Sequence, residues 1–476
     1  MRSVKLALSA ALVLGATSAF ATNGDSLIGL GAKSRGMGGV GIATKFGAES
    51  GLANPALISG DEISFGGTYF APSVDFKDEV CAMAPDGKCH KMGNPSMQSS
   101  DADKSVIPEV AISMEVNENF TWGIGMYGVA GMGVDYRTDE LDLATLNKSN
   151  ASAQNPFGWT PSTDEKDYFG TKNGTNNMLT NLQLMRFAVP FSYKTAGFSI
   201  GFAPILQYGS LSMSYNAGQH YQDAQGNNHN TMTGRGVSQD LGFGYQIGLG
   251  YEVSGFTVGL SYTSSIDMSY DHQISEATKQ FGLNQGKGLD DNLEQPSEIG
   301  IGLSYTFSGN TVAFDYKKIG WGSAKGYKDF QWEDQNVIAL GYQYETDKWA
   351  LRLGYNYASN PIEEQKGANF MAGEYDGAVI NYFNMAGFPA TVESHYTIGG
   401  TYNFTEKIGL DLAFVYAPET SNTYDTSAMT QAQTYAAALK GGFSQQEAGQ
   451  MASAIKSEAS VDHSQMGITV AMTIKF

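Results

Sequence analysis

The stretch "DLGFGYQIGLGYE", residues 240–252, alternates between two kinds of side chain. Its odd-numbered positions are large and apolar, and its even-numbered positions are glycine or polar. Because successive side chains of a β-strand point to opposite faces, this period of two predicts a strand with one apolar and one polar face. The apolar face would carry Leu241, Phe243, Tyr245, Ile247, Leu249 and Tyr251.

The same alternation recurs along the chain and predicts fourteen strands. Most of them reach the roughly 9–11 residues that a tilted strand needs to cross a bilayer core. They lie at 61–74, 106–116, 120–136, 181–193, 198–216, 238–253, 256–270, 296–307, 311–320, 335–345, 348–359, 392–404, 407–418 and 463–476.

The connections between these strands alternate in length. Tight polar turns join the second strand to the third, the fourth to the fifth and so on, whereas the other connections are long, including 137–180, 271–295 and 419–462. Short turns on one rim and long loops on the other are typical of outer-membrane barrels. The sequence therefore predicts an all-β fold, a 14-stranded antiparallel transmembrane β-barrel over residues 61–476, with both ends on the periplasmic side.

The first 21 residues have the composition of a targeting segment. Arg2 and Lys5 precede the apolar run "LALSAALVLGATSAF", and Ala19-Phe20-Ala21 supplies small residues for cleavage. This pattern predicts a secretory signal peptide over 1–21; a membrane anchor is the weaker alternative because the run is short. The formal net charge of −19 argues against a nucleic-acid partner.

The exported barrel predicts a place in the cell outer membrane of a Gram-negative bacterium. The last strand, "GITVAMTIKF", ends in Phe476 and resembles the signal read by barrel-assembly machinery. We expect contact with that machinery during biogenesis, with outer-membrane lipid and lipopolysaccharide afterwards, and a monomer.

Residues 22–60, called here the hatch segment, precede the first strand and are rich in glycine and alanine. They include "IATKFGAESGLANPALISG" (42–60), with Asn54, Pro55 and Ala56 in sequence. A barrel of fourteen strands encloses a wide lumen that would leak unless something filled it. Small residues let a backbone pack closely and glycines permit bends. The segment is therefore predicted to fold inward as a plug, with a disordered tail as the alternative.

The hatch segment, its Asn-Pro-Ala triplet ahead of the first strand, the strand count and the final strand together resemble the FadL/TodX family. Members of that family are outer-membrane transporters of long-chain fatty acids and aromatic hydrocarbons. The resemblance implies passive uptake, in which a hydrophobic molecule enters a pocket capped by loops, the hatch moves, and the molecule leaves sideways through a gap where strand 3 kinks inward. The substrate, fatty acid or aromatic hydrocarbon, stays open.

Strand 3, "TWGIGMYGVAGMGVDY", is interrupted by glycines, and its apolar alternation weakens after Met126. Glycine in a strand often marks a bulge or a close backbone approach. We expect the kink within 125–133. The resemblance implies a lateral gate at Gly125, Gly128, Gly131 and Gly133, and room for hatch packing is the alternative reason for these glycines.

Candidate ligand contacts are cations facing the lumen and apolar residues in long loops. Arg352 and Lys317 have inward parity, although ion networks with Glu298, Asp315, Glu345 and Asp411 would also explain them; the parity of Arg186 is ambiguous. Phe157 and Trp159, and Phe383 and Phe388 in the apolar patch "NYFNMAGFPA", are predicted to be exposed on loops, with loop packing as the alternative. Residues 421–460 are predicted to form two short helices broken at Gly441-Gly442.

The two cysteines, Cys81 and Cys89, are predicted to close a small disulfide loop in an exported protein. A metal site built from this pair and His90 would lack a fourth ligand, so we expect no metal and no cofactor. A general porin shares the barrel but not the plug, and an adhesive or structural barrel remains an alternative. The six histidines lie mostly in loops without nucleophile signatures, so the sequence does not predict an enzyme.

Overall fold

The structure, a computed structural model, describes residues 22–83, 87–91, 97–137, 144–146, 159–161, 177–222, 228–234 and 236–476. Within these residues, fourteen antiparallel strands pair edge to edge, and β14 pairs with β1 to close the sheet. The predicted 14-stranded barrel is confirmed. Its strands are β1 Glu62–Met83, β2 Ser105–Glu115, β3 Phe120–Asp135, β4 Leu179–Ala188 continuing as Phe191–Thr195, β5 Phe198–Gln222, β6 Ser238–Val253, β7 Phe256–Thr263, β8 Glu298–Phe307, β9 Asn310–Ile319, β10 Gln335–Glu345, β11 Trp349–Ala358, β12 Ser394–Asn403, β13 Ile408–Asp425 and β14 Ile455–Lys475.

The outer face of the barrel is apolar. On β6, Leu241 is 56% and Phe243 78% exposed, whereas Gln246 on the opposite face is buried. Aromatic pairs lie beside the short turns, among them Phe198 with Tyr251 and Phe256 with Tyr305, at 4.3 and 4.1 Å between ring centroids. An apolar band bordered by aromatic rings matches the surface that a transmembrane barrel presents to lipid.

Helices occur in the hatch segment and in the long loops. The predicted pair in residues 421–460, separated at Gly441-Gly442, is confirmed as the helices Ser427–Lys440 and Gln445–Ser453. Among the described residues, the structure contains no helix of the length and apolarity that a membrane crossing requires. The α-helices are α1 Ala32–Gly36, α2 Ser50–Ala53, α3 Ile274–Gln280, α4 Leu283–Gly286, α5 Asp376–Ala386, α6 Ser427–Lys440 and α7 Gln445–Ser453, and 3₁₀ turns occupy Gly47–Glu49, Pro55–Leu57, Trp321–Ser323 and Phe370–Ala372.

The seventh strand is shorter than predicted, because β7 ends at Thr263 and not at residue 270. The next residues still alternate, but Ile266, Met268 and Tyr270 are buried. Ile266 and Met268 lie over Gly242 on the inner face of β6. An extended segment that folds back into the lumen has the same period of two as a barrel strand, which explains the wrong boundary.

Three strands extend well beyond their predicted ends on the long-loop side. β1 continues to Met83 and β13 to Asp425, and β14 begins at Ile455. These extensions pair with one another without an outer face of alternating apolar residues. β4 is interrupted at Val189-Pro190, since proline lacks the amide hydrogen that the ladder needs.

Short ladders complete the sheet structure. Cys81 and Cys89 form a disulfide whose Cα atoms are 5.4 Å apart, at the outer end of β1. The short strands are Thr22–Asn23 with Ser26–Leu27, Cys89–Lys91 and Gln98–Ser99 against β1, Ala144–Leu146 with Trp159–Pro161, and Asn228–Thr233 against β5.

Candidate functional site

The hatch segment lies inside the barrel. Nearly all of residues 22–58 are buried, and their hydrogen bonds run to the inward faces of strands on every side of the wall. At its start, the Thr22 amide donates to Gln465 Oε1 at 3.1 Å on β14. At its end, Gly60 leads directly into β1 at the rim of the short turns.

The Asn-Pro-Ala triplet fits against the wall at β5 and β6. The Asn54 side chain is fully buried; its Nδ2 donates to the carbonyls of Ile42 (2.7 Å) and Leu249 (3.1 Å), and its Oδ1 accepts from the Ala56 amide. A Cβ on Gly248 would overlap Asn54 Oδ1, and a Cβ on Gly201 would overlap the Ala56 amide nitrogen. Two wall glycines therefore create the space that this turn occupies.

Charged groups tie the hatch segment to the wall. Arg35 Nη1 contacts Glu109 Oε2 of β2 at 2.6 Å, with both side chains buried. Asp315 Oδ2 of β9 accepts hydrogen bonds from the backbone amides of Gly41 and Ile42 at 2.7 and 2.9 Å. Buried charges need such partners, because an unpaired one costs several kcal/mol, roughly 3–5 when a buried pair is broken. Arg35, a cation among small residues, is the feature of the sequence from which this anchor can be predicted.

β3 changes its neighbours part of the way along its length. It pairs with β2 only from Thr121 to Tyr127, against Glu115 to Glu109, so that Val106–Pro108 of β2 lie outside the ladder with β3. On its other edge the register with β4 shifts at Val129, which forms a bulge. Beyond Met126 the strand is buried on both faces, from Tyr127 to Val134. We call Val106–Pro108, the part of β2 that lies outside this ladder, the unpaired interval.

Residues 24–26, called here the hatch tip or the tip of the hatch segment, occupy the free edge of β3 beside this interval. Ser26 pairs with Ala130 in antiparallel fashion, and the Gly131 amide donates to the Asp25 carbonyl at 3.0 Å. An apolar cluster lies next to this contact. It comprises Leu27 and Ile28 of the hatch segment and Phe70, Ile107 and Val415 of the wall.

The predicted gate glycines all lie in or next to this region. A Cβ on Gly125 would come within 2.5 Å of Leu52 of the hatch segment, and one on Gly128 within 2.5 Å of Ile107 Cγ2 on β2. A Cβ on Gly133 would overlap the Thr180 carbonyl of β4. Glycines that make room for the hatch segment and the end of the β2–β3 ladder therefore both occur along β3.

The two cations singled out from the sequence face inward but are paired. Lys317 contacts Glu298 at 2.7 Å. Arg352 lies 3.8 Å from Asp411 and donates to Gln343 Oε1 at 2.6 Å. Both belong to the interior ion networks that the sequence analysis gave as the alternative.

Arg186 is different, although its parity could not be decided from the sequence. It is buried, its Nε donates to Gln207 Oε1 at 2.9 Å, and its Nη2 has no hydrogen-bond partner in the described part of the chain. It lines a cavity of about 90 Å³ between the hatch segment and the wall, together with Leu27, Glu298 and Lys317.

The mouth on the long-loop side is filled by a buried helix. From Ala378 to Ala386, every residue of α5 is buried among aromatic side chains of the loops. The prediction that Phe383 and Phe388 are exposed is wrong: they are 0% and 3% exposed, because the loops fold into the mouth and pack around them. Phe157 lies outside the described residues, and for Trp159 only the backbone pairing with Leu146 is described.

Comparison with known proteins identifies relatives over most of the chain. A family model described as "Outer membrane protein transport protein (OMPP1/FadL/TodX)" matches residues 8–142 and 149–371. Outer membrane protein P1 of Haemophilus influenzae is 22% identical over 409 residues, which are 76% of this chain and 78% of that protein. The 47 kDa outer membrane protein of Pasteurella multocida is 24% identical over 226 residues, 41% of this chain and 48% of the relative.

Solved structures share the architecture at low identity. A FadL homologue of Pseudomonas aeruginosa superposes with a TM-score of 0.60 at 14% identity, over 95% of this chain and all of that one. The toluene transporter TodX of Pseudomonas putida gives 0.56 at 16% identity, over 96% of this chain and all of that one. At these identities the likeness shows a common fold.

Proposed function

The chain belongs to the outer membrane protein transport protein family (OMPP1/FadL/TodX), and from this premise we propose that it admits hydrophobic molecules by lateral exit beside β3. Its location is the outer membrane, and transport of hydrophobic compounds is the function of its family. The proposal adds the route: entry past the loops, displacement of the hatch segment as a plug, and release between β2 and β3 into the membrane.

The observation that carries this route is the unpaired interval. Three residues of β2, Val106–Pro108, lie outside the ladder with β3, and the free edge of β3 is held by Asp25 and Ser26 of the hatch segment. If the tip of the hatch segment withdraws, an opening lined by Ile107 and Phe70 connects the lumen with the lipid. An apolar molecule taking this path gains about 25 cal/mol per Å² of surface kept from water.

The structure represents a closed state in this scheme. The cavity that Arg186 lines measures about 90 Å³, whereas ligand pockets span roughly 300–1,000 Å³. A larger cavity of about 480 Å³ lies at the short-turn rim and is lined by Lys33, Lys45 and Arg352. A drug-sized molecule therefore does not fit the cavity at Arg186 unless the hatch segment moves. This requirement agrees with a plug that opens for its substrate and not with a permanently open porin.

The route predicts that filling the unpaired interval blocks uptake. A valine in Gly128→Val would press against Ile107 and occupy the space between β2 and β3. We expect accumulation of radiolabelled oleate and toluene to fall by about tenfold or more, as when a gating step is blocked. The barrel should keep its resistance to unfolding in detergent on unheated gels.

A compensating change provides the control. Shortening the opposing side chain in Gly128→Val/Ile107→Ala restores the space, so uptake should recover. Unchanged uptake in Gly128→Val alone would rule out an exit beside this glycine.

For an acidic substrate, we propose Arg186 as the group that receives the carboxylate. Lys317 and Arg352 are already paired, whereas Arg186 lines the cavity and its Nη2 has no hydrogen-bond partner among the described residues. Hydrogen bonds to charged groups contribute roughly 1.5–3 kcal/mol, so Arg186→Met should weaken oleate binding by about tenfold or more. Toluene binding should not change, because toluene has no acceptor for the guanidinium.

Arg186→Lys serves as the matched variant, since it keeps the positive charge and should retain part of the oleate affinity. Equilibrium binding to the purified protein measures both ligands. Equal losses for oleate and toluene in Arg186→Met would mean that the residue shapes the cavity and does not recognise a carboxylate.

We further propose that the protein works as a monomer surrounded by outer-membrane lipid and lipopolysaccharide. The support is an apolar band of exposed side chains found on the strands around the barrel. Phe476 at the end of the chain is 59% exposed, which suits recognition by barrel-assembly machinery.

A further inference from the structure

The loop between β9 and β10 joins the outer mouth of the barrel to the tip of the hatch segment. We call residues 320–334 the bridging loop. Its aromatic side chains Trp321, Tyr327 and Trp332 are buried and in mutual contact, with ring centroids 4.6–5.4 Å apart. Three rings packed in this way form a rigid unit, because core side chains are held in fixed rotamers at close-packed density.

The inner end of the bridging loop holds the hatch tip. The Tyr327 hydroxyl donates to Asp25 Oδ2, and Gln295 Nε2 of the neighbouring loop donates to Asp25 Oδ1 at 3.1 Å. Trp321 covers Gly24, where a Cβ would lie 2.7 Å from Cζ2 of the indole and where φ is +68°. The hatch tip therefore adopts a conformation that requires glycine at the point where the loop touches it.

The outer end of the bridging loop holds α5. Trp332 Nε1 donates to Asn384 Oδ1 at 3.0 Å, and Asn384 Nδ2 donates to the Phe330 carbonyl at 2.9 Å. Both bonds are buried, so breaking either leaves a polar group without a partner.

Asp25 connects the bridging loop to β3 beside the proposed exit. Its side chain is held by the loops, while its backbone carbonyl accepts from the Gly131 amide of β3. The carboxylate is fully buried and forms no salt bridge within the described ranges. One residue thus bonds to the loop side of the lumen with its side chain and to β3 with its backbone.

We propose that Asp25 is a positioning residue that couples α5 to the gate: the contact of α5 with the bridging loop holds Tyr327 against Asp25 and keeps the hatch tip on β3. A hydrophobic molecule that displaces α5 at the mouth loosens the bridging loop, and Asp25 then releases the free edge of β3. The inference rests on the proposed exit beside β3 and adds what controls it. Coupling of this kind is carried by connected side chains whose arrangement both ends bias.

The test compares two asparagines of the same helix. Asn384→Ala removes the bonds to the bridging loop, whereas Asn381→Ala removes bonds to Gln365 in the loop before α5 and to the carbonyl of Asp425 at the end of β13. Both should loosen α5. Only Asn384→Ala should speed hydrogen exchange of the Gly131 amide, by about tenfold or more, because loosening the bridging loop breaks the hydrogen bond from Tyr327 to the Asp25 carboxylate.

Two further variants complete the experiment. Tyr327→Phe keeps the ring and removes the hydroxyl, so it should speed exchange at Gly131 to a similar extent, and adding Asn384→Ala to it should contribute little more. Trp332→Phe replaces Asn384→Ala if that variant does not fold.

Equal exchange at Gly131 in Asn384→Ala and Asn381→Ala, or full additivity in the double variant, would overturn the coupling. These measurements involve no substrate. A failure here leaves the exit route standing, and a failure of Gly128→Val to block uptake leaves the coupling measurable on its own.

Discussion

Oxidised protein carrying Ser26→Cys and Ala130→Cys should lose uptake of oleate and toluene by more than about tenfold, because the tip of the hatch segment can no longer leave β3. These residues pair directly in antiparallel strands. Such pairs place their Cα atoms about 4.5–5.5 Å apart, within the roughly 4.4–6.8 Å that a disulfide spans. The bond should therefore form without distorting the backbone, and reduction should restore uptake.

The controls separate this bond from the natural one between Cys81 and Cys89. The unaltered chain, measured with and without reductant, reports the effect of opening the natural disulfide alone. Each single cysteine variant should transport normally. Full uptake by protein in which the new disulfide is shown to be complete would mean that substrates leave by another path.

Gly248→Ala should displace the Asn-Pro-Ala turn from the wall and loosen the hatch segment. The added methyl group would overlap Asn54 Oδ1, and it would lie 2.9 Å from the Ala56 amide nitrogen, so the turn itself has to move. Overpacking of this kind costs about 1–3 kcal/mol, which raises the population of the displaced hatch by about 5-fold to 150-fold. We expect faster proteolysis within residues 22–60 and a measurable leak of small hydrophilic solutes from liposomes.

Gly467→Ala is the matched control for this change. It lies on β14, and its added methyl group would find its nearest neighbours at an ordinary 3.7 Å. It should leave both proteolysis and leakage unchanged. If Gly248→Ala behaved like Gly467→Ala, the close fit of the turn against β6 would not be what keeps the plug in place.

The sequence was sufficient to predict the barrel because lipid imposes one rule on every strand. Large apolar residues such as Phe243 and Leu249 must face the lipid, so every membrane-spanning strand repeats the alternation of apolar and polar side chains. Strand residues that lie beyond the lipid bilayer are not subject to this rule. For that reason the alternation does not predict the outer extensions of β1, β13 and β14. It does predict a strand through residues 264–270, which instead turn into the lumen.

The parity of Arg186 was ambiguous for a related reason. On β4 the inward-facing Leu182 and Leu184 are apolar because the upper lumen is filled by the side chains of the loops. An inward face that is polar near the hatch segment and apolar near the mouth gives no single pattern along one strand. The exposure of Phe383 and Phe388 was predicted wrongly because the sequence does not reveal that a loop returns into the barrel.

The contacts between Asp25 and the bridging loop leave no local trace in the sequence. Asp25 and Tyr327 are separated by about three hundred residues, and neither belongs to a periodic run. The glycines of β3 are recognisable in the sequence because they interrupt the alternation. The sequence does not reveal that they lie next to Leu52 and Ile107 in the folded protein. The alternation of apolar and polar residues thus predicts which face of a strand a side chain occupies. Which side chains meet inside the lumen depends on how the sheet closes into a barrel.

Neighbouring strands of the barrel differ in the number of residues that they pair, and this difference predicts where thermal unfolding begins. β14 pairs with β1 along its whole length, so the first and last strands share the longest ladder among the described strand pairs. β2 and β3 share only the seven residues from Glu109 to Glu115. On heating, β2 and β3 should therefore separate first, and β1 and β14 should separate later.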